Sequence, residues 1–167
     1  MRKLISIVLL FVVACSESGE PKPEGPKAPP GTIITKRDGV DLKPATNLIA
    51  NAHDNTGGLT VNGWFVIDVI PVQYDGISIY LKNPAKGEFV IKGNCFADTE
   101  PGYVFFTSAP NVFYTWKIAD NSSGKVNITK LDLTNKLVSG TFEVKLQNDA
   151  GTVTELTDGS FTDLKID

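Results

Sequence analysis

The chain has 167 residues, 41% apolar and 21% charged, with 15 Gly, 10 Pro, one His and two Cys, which suits one globular domain. Sixteen basic against nineteen acidic side chains give a net charge of −3 with no basic segment, which argues against a phosphate-tracking nucleic-acid surface. One histidine and two cysteines leave little room for a metal site or a nucleophile–base pair.

Arg2 and Lys3 precede an apolar run, Leu4 to Val13, that ends in Ala14 and Cys15. Ten such residues span about 15 Å as a helix, half of a hydrocarbon core of about 30 Å, so the run reads as a cleavable secretory signal over residues 1–14. Val12-Val13-Ala14-Cys15 resembles the bacterial lipobox, whose cysteine is diacylated and becomes the acylated amino terminus after cleavage. Cys15 is therefore the expected lipidation site. An ordinary signal peptide with an incidental cysteine is the competing reading. Each buried CH₂ contributes about 0.8 kcal/mol, so several acyl chains would make release from the membrane negligible.

Removal of residues 1–14 deletes two basic and no acidic side chains and moves the net charge from −3 to −5. Lipid, not charge, would hold the mature chain. Ser16-Glu17-Ser18-Gly19-Glu20 resembles the acidic export tags with which certain Gram-negative groups carry lipoproteins to the cell surface; a solvated linker with two glutamates explains it equally. Residues 15–31 hold half of all prolines, at 21, 23, 26, 29 and 30, and almost no apolar side chain, which makes them a stiff tether of up to about 50 Å.

From Thr32 to Asp167 the dominant signal is period-two alternation in short runs bounded by Gly, Asn, Asp and Pro. The one helical spacing is Leu42, Ala45, Ile49 and Ala52, with Pro44 acceptable in a first turn, and it allows at most one short helix. Trp64 to Val72 is a more continuously apolar run, interrupted by Asp68. Asp75-Gly76 has the chemistry of a hairpin turn ahead of Ile77, Ile79 and Leu81 on one strand face. Gly87 to Lys92, Val126 to Ile128, Val138 to Leu146, Thr152 to Leu156 and Phe161 to Ile166 continue the period. About ten short strands without intervening helices predict an all-β fold, an antiparallel sandwich or barrel. Such a domain buries enough core to fold as a monomer without a disulfide. With Cys15 lipidated, Cys95 has no partner, and beside Phe96 it reads as a small buried hydrophobe.

Candidate chemistry is sparse. His53-Asp54-Asn55 lacks the further donors zinc requires and reads as a surface loop. Asp120-Asn121-Ser122-Ser123-Gly124 lacks the spaced acids of a calcium loop and reads as a hairpin turn. Asn121-Ser122-Ser123 and Asn127-Ile128-Thr129 match the glycosylation triplet, without meaning in a bacterial lipoprotein. No catalytic, cofactor-binding or metal-binding residue is expected. Tyr103, Phe105, Phe106, Phe113, Tyr114 and Trp116 form an aromatic cluster. Val112, Tyr114, Trp116 and Ile118 would share one strand face, read first as core and otherwise as a surface for sugar or peptide.

The closing segment carries a resemblance. Lys125 to Asp132 (KVNITKLD), Asn135 to Val144 (NKLVSGTFEV) and Asp158-Gly159-Ser160-Phe161 resemble, over roughly residues 120–167, an uncharacterised family of small bacterial lipoproteins known as a domain of unknown function. The resemblance implies an all-β lipoprotein and lends no activity. Independently of it, Gly140 and Gly159 mark bulges or close backbone approach, with Phe142 and Phe161 as packing anchors in one sheet. The expected function is that of an outer-membrane lipoprotein acting as a surface or periplasmic binding module for a glycan, a peptide or an envelope protein. A glycan-acting hydrolase with unidentified carboxylates is the alternative.

Overall fold

The computed structural model describes residues 25–45, 51–55, 57–69, 72–92, 101–108, 112–114, 123–148 and 150–167. Cys15, Cys95 and Trp116 lie outside these residues. Among the described residues twelve strands follow one another: β1 (Thr32–Arg37), β2 (Val40–Asp41), β3 (Lys43–Pro44), β4 (Asn51–Asn55), β5 (Gly58–Val69), β6 (Val72–Lys82), β7 (Gly87–Lys92), β8 (Gly102–Ser108), β9 (Val112–Tyr114), β10 (Ser123–Asp132), β11 (Leu137–Gln147) and β12 (Val153–Lys165). They form two antiparallel sheets, the first in the order β2-β1-β12-β11-β10-β7 and the second β3-β5-β6-β8-β9, with β4 also paired to β5. Neither sheet closes on itself, so the all-β expectation resolves to a sandwich and not a barrel.

Alternation explains the layering. Leu59, Val61 and Phe65 of β5, Ile77, Ile79 and Leu81 of β6, and Val104 and Phe106 of β8 are buried. They face Ile33, Val126, Ile128, Val138, Phe142, Leu146, Leu156 and Phe161 of the first sheet across one core. The sheets approach closely at one place, where the Ile33 side chain fills the space a Cβ on Gly63 would need. The C-terminus ties the sheets together as well: Ala52 of β4 bridges Ile166 in parallel, and the Asp167 N–H donates to the Ala52 carbonyl at 2.9 Å.

Gly140 and Gly159 account for the SGTF and GSF elements. β11 and β12 pair Gly140 with Phe161 and Phe142 with Gly159. A Cβ on Gly140 would meet the Phe161 ring at 2.6 Å, and one on Gly159 would meet the Phe142 ring at 2.5 Å. Each phenylalanine therefore lies across the other strand's glycine on the inward face, an exchange that covers the glycine backbone and fills the core centre. The expected close approach is present, and the ladder shifts register on both sides of the pair, between Val138 and Gly140 and between Phe142 and Val144.

Several local expectations are corrected. The helical spacing from Leu42 to Ala52 comes from separate short strands: Pro44 pairs with Phe65 on the edge strand β3, where a missing N–H is harmless, and Ala52 pairs with Val61 in β4. Ile49 lies outside the described residues. His53 belongs to strand β4, opposite Thr60, and not to a loop, because β5 offers it a ladder partner. The apolar run Trp64 to Val72 is divided between β5 and β6, which meet at Val69 and Val72. Asp75-Gly76 does not turn. Both sit inside β6, opposite Phe65 and Trp64, because a long-range partner for Asp75 and a ring over Gly76 override the dipeptide's local preference. The runs ending in Leu156 and Ile166 are one strand, β12, bent by bulges at which Asp158 and Asp163 take positive φ, 51° and 47°. Ser123 and Gly124 open β10; residues 120–122 lie outside the described part.

The end of the proline-rich segment is held by the domain. The Ser160 hydroxyl donates to the Pro26 carbonyl at 2.8 Å and accepts the Ala28 N–H at 2.9 Å. The Gly31 N–H donates to Thr162, and Ala28 is buried, so residues 26–31 strap the outer face of the first sheet.

Candidate ligand-binding face

The strand period that sends Leu59, Val61 and Phe65 inward sends Thr60, Asn62 and Trp64 to the outer face of the second sheet. Register then decides their neighbours. Thr60 stands opposite Tyr80, Asn62 opposite Ser78 and Trp64 opposite Gly76 on β6. Tyr80, Ser78 and Gly76 in turn stand opposite Tyr103, Phe105 and Thr107 on β8, and β4 adds Asn51 beside Asn62 and His53 beside Thr60. Three rungs result, an aromatic one through Tyr80 and Tyr103, a polar one through Asn51, Asn62 and Ser78 with Phe105 at its end, and one led by Trp64.

Side-chain geometry makes this face ordered. Tyr80 and Tyr103 stack with ring centroids 4.8 Å apart, and Tyr103 meets Phe105 at 4.7 Å with the rings tilted by 54°. The Ser78 hydroxyl donates to Asn62 Oδ1 at 2.6 Å, and Asn62 Nδ2 donates to Asn51 Oδ1 at 3.4 Å. The far end of Tyr80 reaches over Gly58, and the benzo edge of Trp64 leans across Gly76, within 3 Å of where a Cβ would stand. Trp64 is nevertheless 41% exposed. A row of rings around amide and hydroxyl groups can stack on a flat apolar surface of a ligand and exchange hydrogen bonds with its polar edge.

Two further constellations have structural explanations. Arg37 of β1 reaches between the sheets, where its Nη1 lies 3.2 Å from Asp75 Oδ2 and donates to Ser108 Oγ at 3.0 Å. Its guanidinium sits 5.3 Å from the centre of the Phe106 ring. Asp75 is 1% exposed, so this pair clamps one end of the sandwich together. On the outer face of the first sheet, a groove of about 820 Å³ runs beside the strap, among Lys27, Asn127, Thr141, Asp158 and Asp163. Its charges are largely spent on each other, as in Lys36–Asp158 at 2.9 Å and Lys130–Asp163 at 2.8 Å. The hydrogen bond from Lys130 holds the Asp163 carboxyl below the usual carboxylate range, and the Asp158 hydrogen bond raises Lys36. Asn135 does the same for Asp132, its N–H and side-chain amide both donating to that carboxylate in the β10–β11 turn.

Among the described residues no three His, Cys, Asp or Glu side chains gather as a metal ion requires, and no helix is long and apolar enough to cross a membrane. Of the aromatic cluster, Phe106 is core, while Tyr103 and Phe105 are half-buried on the outer face. Val112–Tyr114 form β9 beside β8, with Tyr114 opposite Phe106. Trp64, Tyr80, Asn62 and Ser78 were not singled out as site residues by the sequence reading. The signal that marks them is the spacing Thr60, Asn62, Trp64, which puts a tryptophan on the polar face of a strand.

No curated protein and no solved structure matches the chain. A family model does match, over residues 44–165, a far longer span than the resemblance over roughly 120–167, and it takes in the aromatic face and every strand from β4 to β12. The chain belongs to the family described as a domain of unknown function, DUF6252.

Proposed function

We propose that this chain is a lipoprotein of the bacterial cell envelope, anchored in the outer membrane through Cys15, whose sandwich is a monomeric binding module without chemistry of its own. The observation that carries the reading is the outer face of the second sheet, where an exposed tryptophan and stacked aromatic side chains surround a hydrogen-bonded amide and hydroxyl ladder. Apolar ring surface left in water on an ordered sheet gains free energy when a ligand covers it. The hydrolase alternative has less in its favour, because none of the described side chains on that face is a carboxylate.

The strap supports a consistent geometry. Ten peptide steps separate Cys15 from Gly25 and reach at most about 35 Å, shorter than a free tether to Gly31 would allow. An anchor pulling on the outer face of the first sheet leaves the outer face of the second sheet open to the medium or the periplasm.

Two measurements test this. Cys15→Ala is expected to abolish lipid incorporation and membrane partition; a variant that still takes up labelled lipid overturns the anchor. Oxidative footprinting of Trp64, mapped by mass spectrometry, is expected to find the indole reactive in the purified chain and shielded on intact envelopes. Equal reactivity in both states overturns the binding face.

A further inference from the structure

The aromatic face is selective in what it offers, and we infer that its ligand is an uncharged glycan chain lying along the strands of the second sheet. This deepens the binding-module reading and rests on it. A pyranose ring presents C–H bonds on its faces and hydroxyls around its edge. It matches a surface that alternates π systems with groups able to donate and accept together, as Asn51, Asn62 and Ser78 are.

Charge narrows the class. The described side chains of the face include no carboxylate, and its lysines, Lys43 opposite Val66 and Lys82 opposite Gly58, stand only at its two ends. Among the described side chains an anionic polymer would find no row of cations and a cationic one no acids. Backbone pairing argues against a peptide. Extended peptides bind sheets through free main-chain groups at an edge, whereas β5 and β6, which carry Asn62, Trp64, Ser78 and Tyr80, run inside the sheet. Spacing favours a chain over a single ring. From Gly76, under Trp64, to Tyr80 is four strand residues, about 14 Å, so two stacking positions flank the polar rung.

The test is affinity electrophoresis of the full chain, kept in neutral detergent, through gels containing galactomannan, xyloglucan or mixed-linkage glucan, and through gels containing polygalacturonate or heparin. At least one neutral polysaccharide is expected to retard the chain, with Trp64→Ala and Tyr80→Ala weakening retardation at least about tenfold while the circular dichroism stays unchanged. A neutral hexasaccharide is expected to bind at least about tenfold more tightly than its monosaccharide. Retardation by the anionic polymers alone, lost in Trp64→Ala, overturns the uncharged glycan and keeps the binding face. Peptides from a display library that need Trp64 for binding, with no saccharide bound, overturn the glycan class in the same way. If neither saccharide nor peptide binds in a Trp64-dependent manner, the inference and the binding-module reading fall together.

Discussion

In the first sheet, Gly140 and Gly159 face inward and receive the rings of Phe161 and Phe142; in the second, Gly76 and Gly58 face outward and receive Trp64 and Tyr80. The local chemistry is the same, a ring covering a glycine across a strand pair. The consequence differs with direction. Inward, each phenylalanine fills core volume and is 2% exposed or less. Outward, no opposing sheet waits, and the tryptophan stays 41% exposed. Packing accounts for the first pair completely. For the second it accounts for the order of the rings but not for the exposed part of the indole, which is the surface the proposed ligand would cover.

The comparison breaks most easily at the inward pair. Phe161→Ala or Phe142→Ala is expected to cost about 3–5 kcal/mol, read as a fall in denaturant midpoint. A loss under about 1 kcal/mol for either would mean that the pair is not the centre of the core. Gly159→Ala is expected to cost less, about 1–3 kcal/mol, since its Cβ must displace a ring that can shift slightly. Combined with Phe142→Ala it should cost clearly less than the sum of the two, because the added methyl then enters vacated space. Strict additivity would separate glycine and ring.

How far this was legible in the sequence depends on distance along the chain. Alternation alone marks the strands from Val126 to Ile166 and the SGTF and GSF anchors, because β10, β11 and β12 are successive hairpin partners and their register follows from short turns. The second sheet was harder. Asp75-Gly76 has turn chemistry, yet Arg37, 38 positions earlier, meets the carboxylate between the sheets and keeps the dipeptide extended. Trp64 reads as part of an apolar run because neither the reversal between Val69 and Val72 nor the glycine opposite it is visible before pairing is known. Half of the aromatic face, Tyr103 and Phe105, lay within the cluster noted from composition. The other half, Trp64 and Tyr80, joins it only through register.

Trp64→Ala sharpens the contrast from the other side. Its indole is 41% exposed, so the substitution removes only part of a covered ring and is expected to cost about 1–2 kcal/mol, below the cost at Phe161. Thermal melts of the two variants side by side check it. A Trp64→Ala loss matching that of Phe161→Ala would make the outer ring structural and remove the ground for a binding face.

The smallest expected effect compares the two outer faces by charge. The first sheet's outer face carries Lys130–Asp163, whereas the aromatic rungs of the second contain no carboxylate among the described residues. Lys130 lowers the Asp163 carboxyl in the folded state, assisted by the Ser139 hydroxyl that donates to Oδ1 at 3.2 Å. A depressed folded value stabilises the native state above the unfolded carboxylate range, near 3.9, and that contribution is lost as pH falls through the lower folded value. Carboxyl NMR titration is therefore expected to find Asp163 still ionised below about pH 3.9, and to find it returned toward the ordinary value in Lys130→Met. The exposed setting keeps the stability change small and salt-sensitive. If the Asp163 titration is the same with and without Lys130, the ion pair is not formed in solution, and the bulge at Asp163 is held by Ser139, whose Oγ accepts the Asp163 N–H at 2.8 Å, and the backbone alone.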